Sequence, residues 1–194
     1  MHNTLDLNQE IQRKLIHLSS SIIPILIAAY GKDTMLPYLL LLAILFPLLD
    51  YLRLNNFYLK FIYNKMFFNV TRNHEQRTIT GASWVFIGAG LTLLIYTDIV
   101  SIISLLVMSI SDSVAALFGM KFGKTKLFNK SLEGTMAFFA MTSIIVFTLS
   151  PLKFSINIIA IATATIVELL SGPKFNDNLM IPLFIGLILT ISGI

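Results

Sequence analysis

The sequence predicts an all-α, polytopic membrane helix bundle of about seven transmembrane helices with a cytoplasmic N-terminus. Three observations predict this fold. Apolar residues make up 56% of the 194 residues and charged residues only 12%, whereas a soluble domain of this size has a far more polar surface. The apolar residues form stretches long enough to cross a bilayer. The Lys and Arg residues lie almost entirely between alternate stretches.

Seven apolar segments are candidate spans. A transmembrane helix needs about 20 mostly apolar residues, or fewer where neighbouring protein shields it. The ends of each segment are set to within about 2–4 residues. In chain order the predicted spans run from Ile11 to Tyr30, Met35 to Leu52, Thr80 to Tyr96, Ile99 to Met120, Leu132 to Leu149, Ser155 to Leu170 and Leu179 to Ile194.

The chain is predicted to be a single domain, residues 1–194, because no flexible linker and no internal repeat divides it. The first twelve residues are polar and lack a basic stretch before an apolar core, so the first span is predicted to be permanent rather than a cleaved signal.

Phe57 to Phe68 places polar residues four apart among aromatics, which predicts a helix at the membrane surface without a substrate role. Cysteine is absent, which excludes disulfides and thiolate metal sites.

The distribution of basic residues predicts the orientation. If seven spans alternate, twelve of the fourteen Lys and Arg residues fall on the N-terminal side, and only Lys32 and Lys153 fall on the other. Basic loops stay in the cytoplasm, so the N-terminus is predicted to be cytoplasmic and the C-terminus not. The same bias explains the net charge of +4 without a nucleic-acid partner.

Polar residues gather near the predicted cytoplasmic ends in four clusters, of which the first precedes span one. Glu10, Lys14 and His17 are spaced four and three apart and share a helix face, with Arg13 beside it. A membrane anchor with a Glu–Lys pair explains the two cations. It does not explain His17, one turn deeper, for which a structural and a functional role both stay open.

The second cluster, TRNHEQRTITGAS, precedes span three. Thr78 or Thr80 is predicted to cap this helix, and the small residues after Thr80 allow close backbone approach. The alternative is that the free amides at the helix N-terminus bind an anion.

The third cluster runs from Ser111 to Gly134. Asp112 lies on the order of 13 Å below the helix end near Lys121, a depth at which a carboxylate needs a lysine or a divalent metal. Small residues recur on the face above it, which predicts a groove. Lys124, Lys126, Lys130 and Ser131 surround its mouth, and Glu133 and Gly134 begin the next span. Together these features predict a metal–polyphosphate site.

The fourth cluster lies between the last two spans. Glu168 is near the end of span six, and Ser171-Gly172-Pro173 ends that helix. One of Asn176, Asp177 and Asn178 is enough to cap the last helix. The remaining polar groups are therefore predicted to be further metal or phosphate ligands.

Taken in order, these residues resemble the polyprenol kinase family, which includes dolichol kinase, phytol kinase, farnesol kinase and the CTP-dependent diacylglycerol kinase. The resemblance covers nearly the whole chain. It is carried by E-x-x-R-K-x-x-H (Glu10 to His17), T-G-A (Thr80 to Ala82), S-D-x-x-A-A-x-x-G-x-x-x-G-K (Ser111 to Lys124), K-S-x-E-G (Lys130 to Gly134) and E-x-x-x-G-P-x-x-x-D-N-x-x-I-P (Glu168 to Pro182).

The resemblance implies a kinase that uses CTP as phosphate donor, Mg²⁺ as cofactor and a membrane lipid alcohol as acceptor. The expected metal ligands are Asp112, Asp177 and Glu168. The expected catalytic residues are Asp112, Glu133, Asp177, Lys14 and His17. The expected nucleotide-binding residues are Lys124, Lys130, Ser131, Gly119, Gly123, Gly134, Arg13 and Asn178. Lys124 and Lys130 are expected to neutralise phosphate charge. Glu133 is expected to orient a lysine or the metal.

Two alternatives remain. FGKTKLFNKSLEG also resembles the phosphatidate cytidylyltransferase pattern K-T-W-E-G, with Leu132 at the tryptophan position, but the C-terminal signature of that enzyme is missing. A small transporter or scaffold is the non-enzyme alternative, and polar groups on one side only disfavour a transporter. The acceptor (a polyprenol, a phytol-like isoprenoid or diacylglycerol) and the oligomeric state, including a homo-oligomer, stay open. The small size suits the bacterial inner membrane.

Overall fold

The computed structural model describes residues 7–128, 130–172 and 175–193, and it is almost entirely helical there. Pro173, Lys174 and Ile194, which figured in the predicted helix break, charge count and last span, lie outside the described residues. The elements in chain order are α1 (Leu7–Ser19), α2 (Ile22–Tyr30), α3 (Lys32–Asn55), α4 (Phe57–Phe67), α5 (Gly81–Ile95), α6 (Asp98–Leu106), α7 (Asp112–Phe122), β1 (Lys126–Leu127), β2 (Lys130–Ser131), α8 (Leu132–Leu149), α9 (Phe154–Leu170) and α10 (Asp177–Ile191). A 3₁₀ turn (Phe68–Val70) follows α4, and a π-helical turn (Val107–Ser111) joins α6 to α7.

Three helical stretches are long and apolar enough to cross a membrane, judged by length and composition: Lys32–Asn55, the continuous stretch Asp98–Phe122, and Leu132–Leu149. Helices α5, α9 and α10 are apolar but shorter. The chain is thus a helical membrane protein, and the predicted limits of the fifth span, Leu132 to Leu149, are confirmed as helix limits.

The first predicted span is not one helix. The chain turns at Ser20 and Ser21, so Ile11 to Tyr30 is divided between α1 and α2. The hydroxyls of Ser20 and Ser21 donate to the carbonyls of His17 and Leu18, at 2.6 and 2.7 Å. Pro24 follows and cannot donate a hydrogen bond to Ser20. Both features weaken the helical hydrogen-bond ladder at this point.

The core lies where α5, α6, α8, α9 and α10 pack together, with α3 against α5 and α2 against α6. Residues with no measurable exposure, such as Ala89, Val100, Phe138 and Ile181, fill it. Large apolar side chains also cover the outside of the bundle, among them Leu41, Ile44, Ile144, Ile159 and Ile191. An apolar exterior around an apolar core is expected of a protein surrounded by lipid.

The segment predicted to lie at the membrane surface forms α4, and none of its residues is buried. The side chain of Asn56 caps it by accepting from the amides of Tyr58 and Leu59. Phe57, Tyr58 and Met66 are largely exposed. An exposed helix carrying aromatic and lysine side chains suits the interface between lipid and water.

Candidate functional site

Asp112 is the buried centre of the candidate site. It begins α7 and is 3% exposed. Lys14 of α1, itself buried, donates from Nζ to Asp112 Oδ2. His17 Nε2 lies 3.4 Å from the same oxygen. The sequence predicted that a carboxylate at this depth needs a cation, and the structure supplies Lys14, so the expected Glu10–Lys14 pair is wrong.

The π-helical turn before Asp112 helps to place His17. The Nε2 atom of His17 is 3.1 Å from the carbonyl oxygen of Met108, which lies within that turn. A carbonyl only accepts, so Nε2 carries the proton and donates to Met108. A π turn is a local irregularity often found at functional sites. His17 is therefore held beside Asp112 rather than free.

A second ion-pair cluster forms around Lys130. Its Nζ lies 2.9 Å from Glu168 Oε1 and 3.7 Å from Asp177 Oδ2. Burial disfavours the charged lysine, but the nearby carboxylates of Asp177, Asp112 and Glu168 outweigh it and raise the pKa of Lys130. Lys130, from the third cluster of the sequence, thus contacts two carboxylates of the fourth cluster.

The hairpin that carries Lys130 packs tightly. β1 pairs antiparallel with β2, Lys126 opposite Ser131 and Leu127 opposite Lys130. This short hairpin is an exception to the all-α prediction. Its turn includes Phe128, whose φ of 53° lies in the left-handed region. Ser131 caps α8 by accepting from the amide of Gly134 at 3.1 Å.

The predicted groove along the small-residue face is filled by this packing. A Cβ on Gly119 would lie 2.7 Å from Ser131 Oγ, and one on Gly134 would lie 2.8 Å from the Ala115 carbonyl oxygen. A Cβ on Gly123 would lie 2.9 Å from Ser131. The glycines therefore allow α7 and α8 to meet closely. The expectation of an open groove at this face is wrong.

Glu133 and Lys124 lie apart from Asp112. Both carboxylate oxygens of Glu133 accept from the amide of Thr125, at 3.2 and 3.4 Å. The carboxylate of Glu133 thus holds the loop after α7. These contacts do not show the expected role of Glu133 in orienting a lysine or the metal. Lys124 is exposed on that loop.

A small recess opens beside Asp112, and its cavity volume of about 20 Å³ leaves room for about one water molecule. Its lining combines cations, carboxylates and one amide: Arg13, Lys14, His17, Arg72, Asp112, Asp177 and Asn178. Six of these seven belong to the predicted site; Arg72 does not. Pockets for whole small molecules usually measure about 300–1,000 Å³. The recess is far smaller than these pockets, so its charged lining, rather than its size, points to an anionic group such as a phosphate.

The carboxylates of the recess fit Mg²⁺ only in part. Among the described residues, no group of three or more His, Asp or Glu side chains could hold a metal by itself. Glu168 is turned toward Lys130, so the three expected ligands do not form one set. Asp112 and Asp177 do line one recess. Mg²⁺ is commonly held by one or two carboxylates together with substrate phosphates, and these two residues fit that arrangement.

Comparison with known proteins assigns the family. The chain is 31% identical over 189 residues to an uncharacterized protein of Rickettsia prowazekii, covering 93% of both chains. The two belong to one family. An uncharacterized protein of Methanocaldococcus jannaschii is 26% identical over 186 residues, again covering 93% of both chains. No family model and no solved structure matches the chain.

A further relative has a described activity. The chain is 32% identical over 138 residues to CTP-dependent diacylglycerol kinase 1 of Saccharomyces cerevisiae. The match covers 68% of the chain and 47% of the yeast protein, so the chain spans about half the length of that relative. This similarity supports a lipid-kinase-like family.

Sequence reasoning missed the residues that organise the loop from residue 71 to 80. Asp50 Oδ2 accepts from the amide and hydroxyl of Thr80 and from the hydroxyl of Ser83, at 2.6 to 2.8 Å. Thr80 precedes α5 but does not cap it with its side chain. The anions at this helix start are Asp50 and Glu75, which accept from the amides of Thr80 and Gly81.

Arg53 completes this anchoring. It pairs with Asp50 at 3.1 Å and donates to the carbonyls of Glu75 and Thr78. Asp50 and Arg53 are both buried near the end of an apolar helix. The sequence signal that was overlooked is an Asp three residues before an Arg within an apolar stretch.

Proposed function

We propose that the chain is a CTP-dependent lipid kinase that transfers the γ-phosphate of CTP to the hydroxyl of a membrane lipid alcohol at the cytoplasmic face. The observation that carries this proposal is the similarity to a CTP-dependent diacylglycerol kinase in a chain whose buried carboxylate and cations surround one small recess. We further propose seven membrane crossings, with the N-terminus in the cytoplasm of a bacterial cell and the protein in its inner membrane.

In this proposal the acceptor hydroxyl attacks the γ-phosphorus, the bond to the bridging β-oxygen breaks, and CDP leaves. The hydroxyl proton passes to a carboxylate, for which Asp112 and Asp177 are the candidates at the recess. Arg13 and Lys14 balance phosphate charge where little water competes. Asp112 and Asp177 would hold Mg²⁺, which would supply further charge neutralisation.

Lys130 supports the same site from the side of α9 and α10. Glu168 and Asp177 hold it as a cation, and Asp177 is shared between this cluster and the recess. We assign Lys130 to phosphate binding through this position. Glu168 then acts as its anchor rather than as a metal ligand. Asn178 lines the recess and keeps its proposed place in the nucleotide site. Gly119, Gly123 and Gly134 instead allow α7 and α8 to pack closely, Ser131 caps α8, and Lys124 is exposed on the loop after α7.

The alternative reactions differ in their products. A cytidylyltransferase would join CMP to a lipid phosphate and release pyrophosphate. A transporter would need polar groups at both ends, and the far end offers Lys32, whose Nζ donates to the carbonyl of Tyr96 and whose amide donates to Asp98. These contacts join α3 to the start of α6 and explain Lys32 structurally.

The test is purified protein with Mg²⁺, each nucleoside triphosphate and a panel of polyprenol, phytol and diacylglycerol, with lipid products identified by mass. We expect phosphorylated lipid with CTP and none with Asp112→Asn, because that change removes the carboxylate charge paired with Lys14. The Asp112→Asn protein should still insert in the membrane. A fully active variant would remove Asp112 from the proposed site.

A further inference from the structure

One cation of the recess, Arg72, is not among the site residues predicted from the sequence, and the proposed mechanism gives it no role. Arg72 lies on the loop from residue 71 to 80 and lines the recess together with Asp177 and Asn178 of α10. Its side chain is 41% exposed, more than those of Arg13 and Lys14. Arg72 is thus placed toward the open side of the recess.

The loop fixes the backbone of Arg72. Glu75 is 4% exposed, and its Oε2 accepts from the amide of Arg72 at 2.8 Å. Its other oxygen accepts from the amide of Gly81 at 2.9 Å. Arg53 donates to the carbonyls of Glu75 and Thr78 from within α3. A loop tied to two helices in this way holds Arg72 without any ligand.

The side chain of Arg72 is oriented as well. Its NH2 group donates to Glu10 Oε1 at 3.0 Å, and Arg13 donates to the same oxygen at 3.3 Å. Glu10 does not line the recess, so it holds the two guanidinium groups from outside it. A guanidinium has five N–H donors in a planar fork, and one bond to Glu10 leaves donors for another anion.

We propose that Arg72 binds the polyphosphate chain of the nucleotide, and that Glu10 orients it. This inference rests on the proposed function and adds a residue and a loop to the same site. Arg72 and Arg13, on separate elements but joined through Glu10, form the outer cationic wall of the recess. The competing explanation is that Arg72 only ties the loop to α1 through Glu10.

Three variants separate the two explanations. Arg72→Gln removes the cation, Glu10→Gln removes only its orienting partner, and Arg77→Gln is the matched control. Arg77 lies on the same loop, is exposed, and does not line the recess. If Arg72 binds phosphate, Arg72→Gln should raise the KM for CTP by about tenfold or more, as expected for a charged hydrogen bond.

The same change should leave the KM for the lipid alcohol within a few-fold of wild type. Glu10→Gln should raise the KM for CTP less than Arg72→Gln does, because the guanidinium charge remains, and Arg77→Gln should not raise it. Arg72→Lys should recover part of the CTP affinity. Equal effects of Glu10→Gln and Arg72→Gln, or equal losses for both substrates, would overturn the proposal in favour of the structural tie.

Direct binding keeps this inference distinct from the proposed function. Titration calorimetry of the purified full chain with Mg–CTP and with inorganic tripolyphosphate measures the site without turnover. Weaker binding of both ligands by Arg72→Gln supports the inference even if no lipid is phosphorylated. The absence of phosphorylated lipid would contradict the kinase proposal but not this inference. Unchanged binding in an active enzyme would overturn the inference and leave the kinase proposal standing.

Discussion

The carboxylate of Asp112 is buried among helices, yet one of its oxygens meets both Lys14 and His17. Transferring an isolated carboxylate from water into such surroundings costs several kcal/mol or forces its protonation. Lys14 is also buried, so each charge depends on the other. The pair therefore joins α1 to α7 and fixes the inner wall of the recess.

At this scale we predict that Lys14→Met strongly destabilises the protein. Removing one partner of a buried ion pair costs about 3–5 kcal/mol, because the other charge is left unpaired. Thermal unfolding in detergent should show a large fall in melting temperature, and the double variant Lys14→Met/Asp112→Asn should recover part of it. Lys121→Met, at an exposed lysine, is the control. A Lys14→Met protein as stable as this control would contradict the interpretation of the pair.

The sequence predicted the need of Asp112 for a cation, because its depth in an apolar stretch follows from counting residues along a helix. It could not identify Lys14, since the two residues are 98 positions apart and only tertiary packing brings them together. The same limit applies to Lys130 and Glu168. For Glu133, sequence proximity to the lysines suggested a role in the site, whereas its contacts are with the loop backbone.

The helices meet through residues without side chains at their closest points. Gly88 of α5 faces α10, where a Cβ would lie 2.2 Å from the carbonyl oxygen of Asn178. Asn178 lines the recess and donates from Nδ2 to the carbonyl of Gly81 at 3.3 Å. The packing of α5 on α10 thus also places a recess residue.

We therefore predict that Gly88→Ala disrupts the protein. A backbone atom cannot move aside as a flexible side chain can, so the two helices would have to separate, at a cost of about 1–3 kcal/mol or more. Gly90→Ala is the matched control on the same helix, because its Cβ would lie 3.2 Å from the Ala43 methyl group and no nearer than 3.5 Å to the Leu39 backbone. Size-exclusion profiles and melting temperatures of detergent extracts would distinguish the two. Equal behaviour of both variants would contradict this packing.

Most helix limits were predictable, because apolar stretches bounded by polar residues and glycine leave few alternatives. The break at Ser20 was not, since serine hydroxyls and Pro24 are tolerated within many membrane helices. The hairpin around Phe128 was also missed. Strands of two residues carry no periodicity that a sequence pattern can detect.

The molecule is polar at one end. Arg13 and Arg72 share Glu10 there, and Lys130 pairs with Asp177, which lines the same recess as these two arginines. Lys32, predicted on the opposite side, instead contacts Tyr96. The positive-inside bias of the sequence predicts that this end faces the cytoplasm. The number of crossings and the orientation remain part of the proposal.

The absence of cysteine allows a direct test of that topology. Lys126→Cys and Lys153→Cys each introduce a single thiol at an exposed position, in the hairpin and before α9 respectively. A membrane-impermeant maleimide should label K153C in intact cells, and K126C only after the cells are opened. Labelling of both from the same side would contradict an odd number of crossings between them and the proposed orientation.

The central claim is that the γ-phosphate of CTP is transferred to a lipid hydroxyl. Its most direct test is to supply purified protein with CTP labelled either at the γ-phosphate or at the α-phosphate, together with Mg²⁺ and the lipid alcohols. The proposal predicts labelled lipid from γ-labelled CTP only, with release of CDP. Label entering lipid from α-labelled CTP, or from neither, would contradict it.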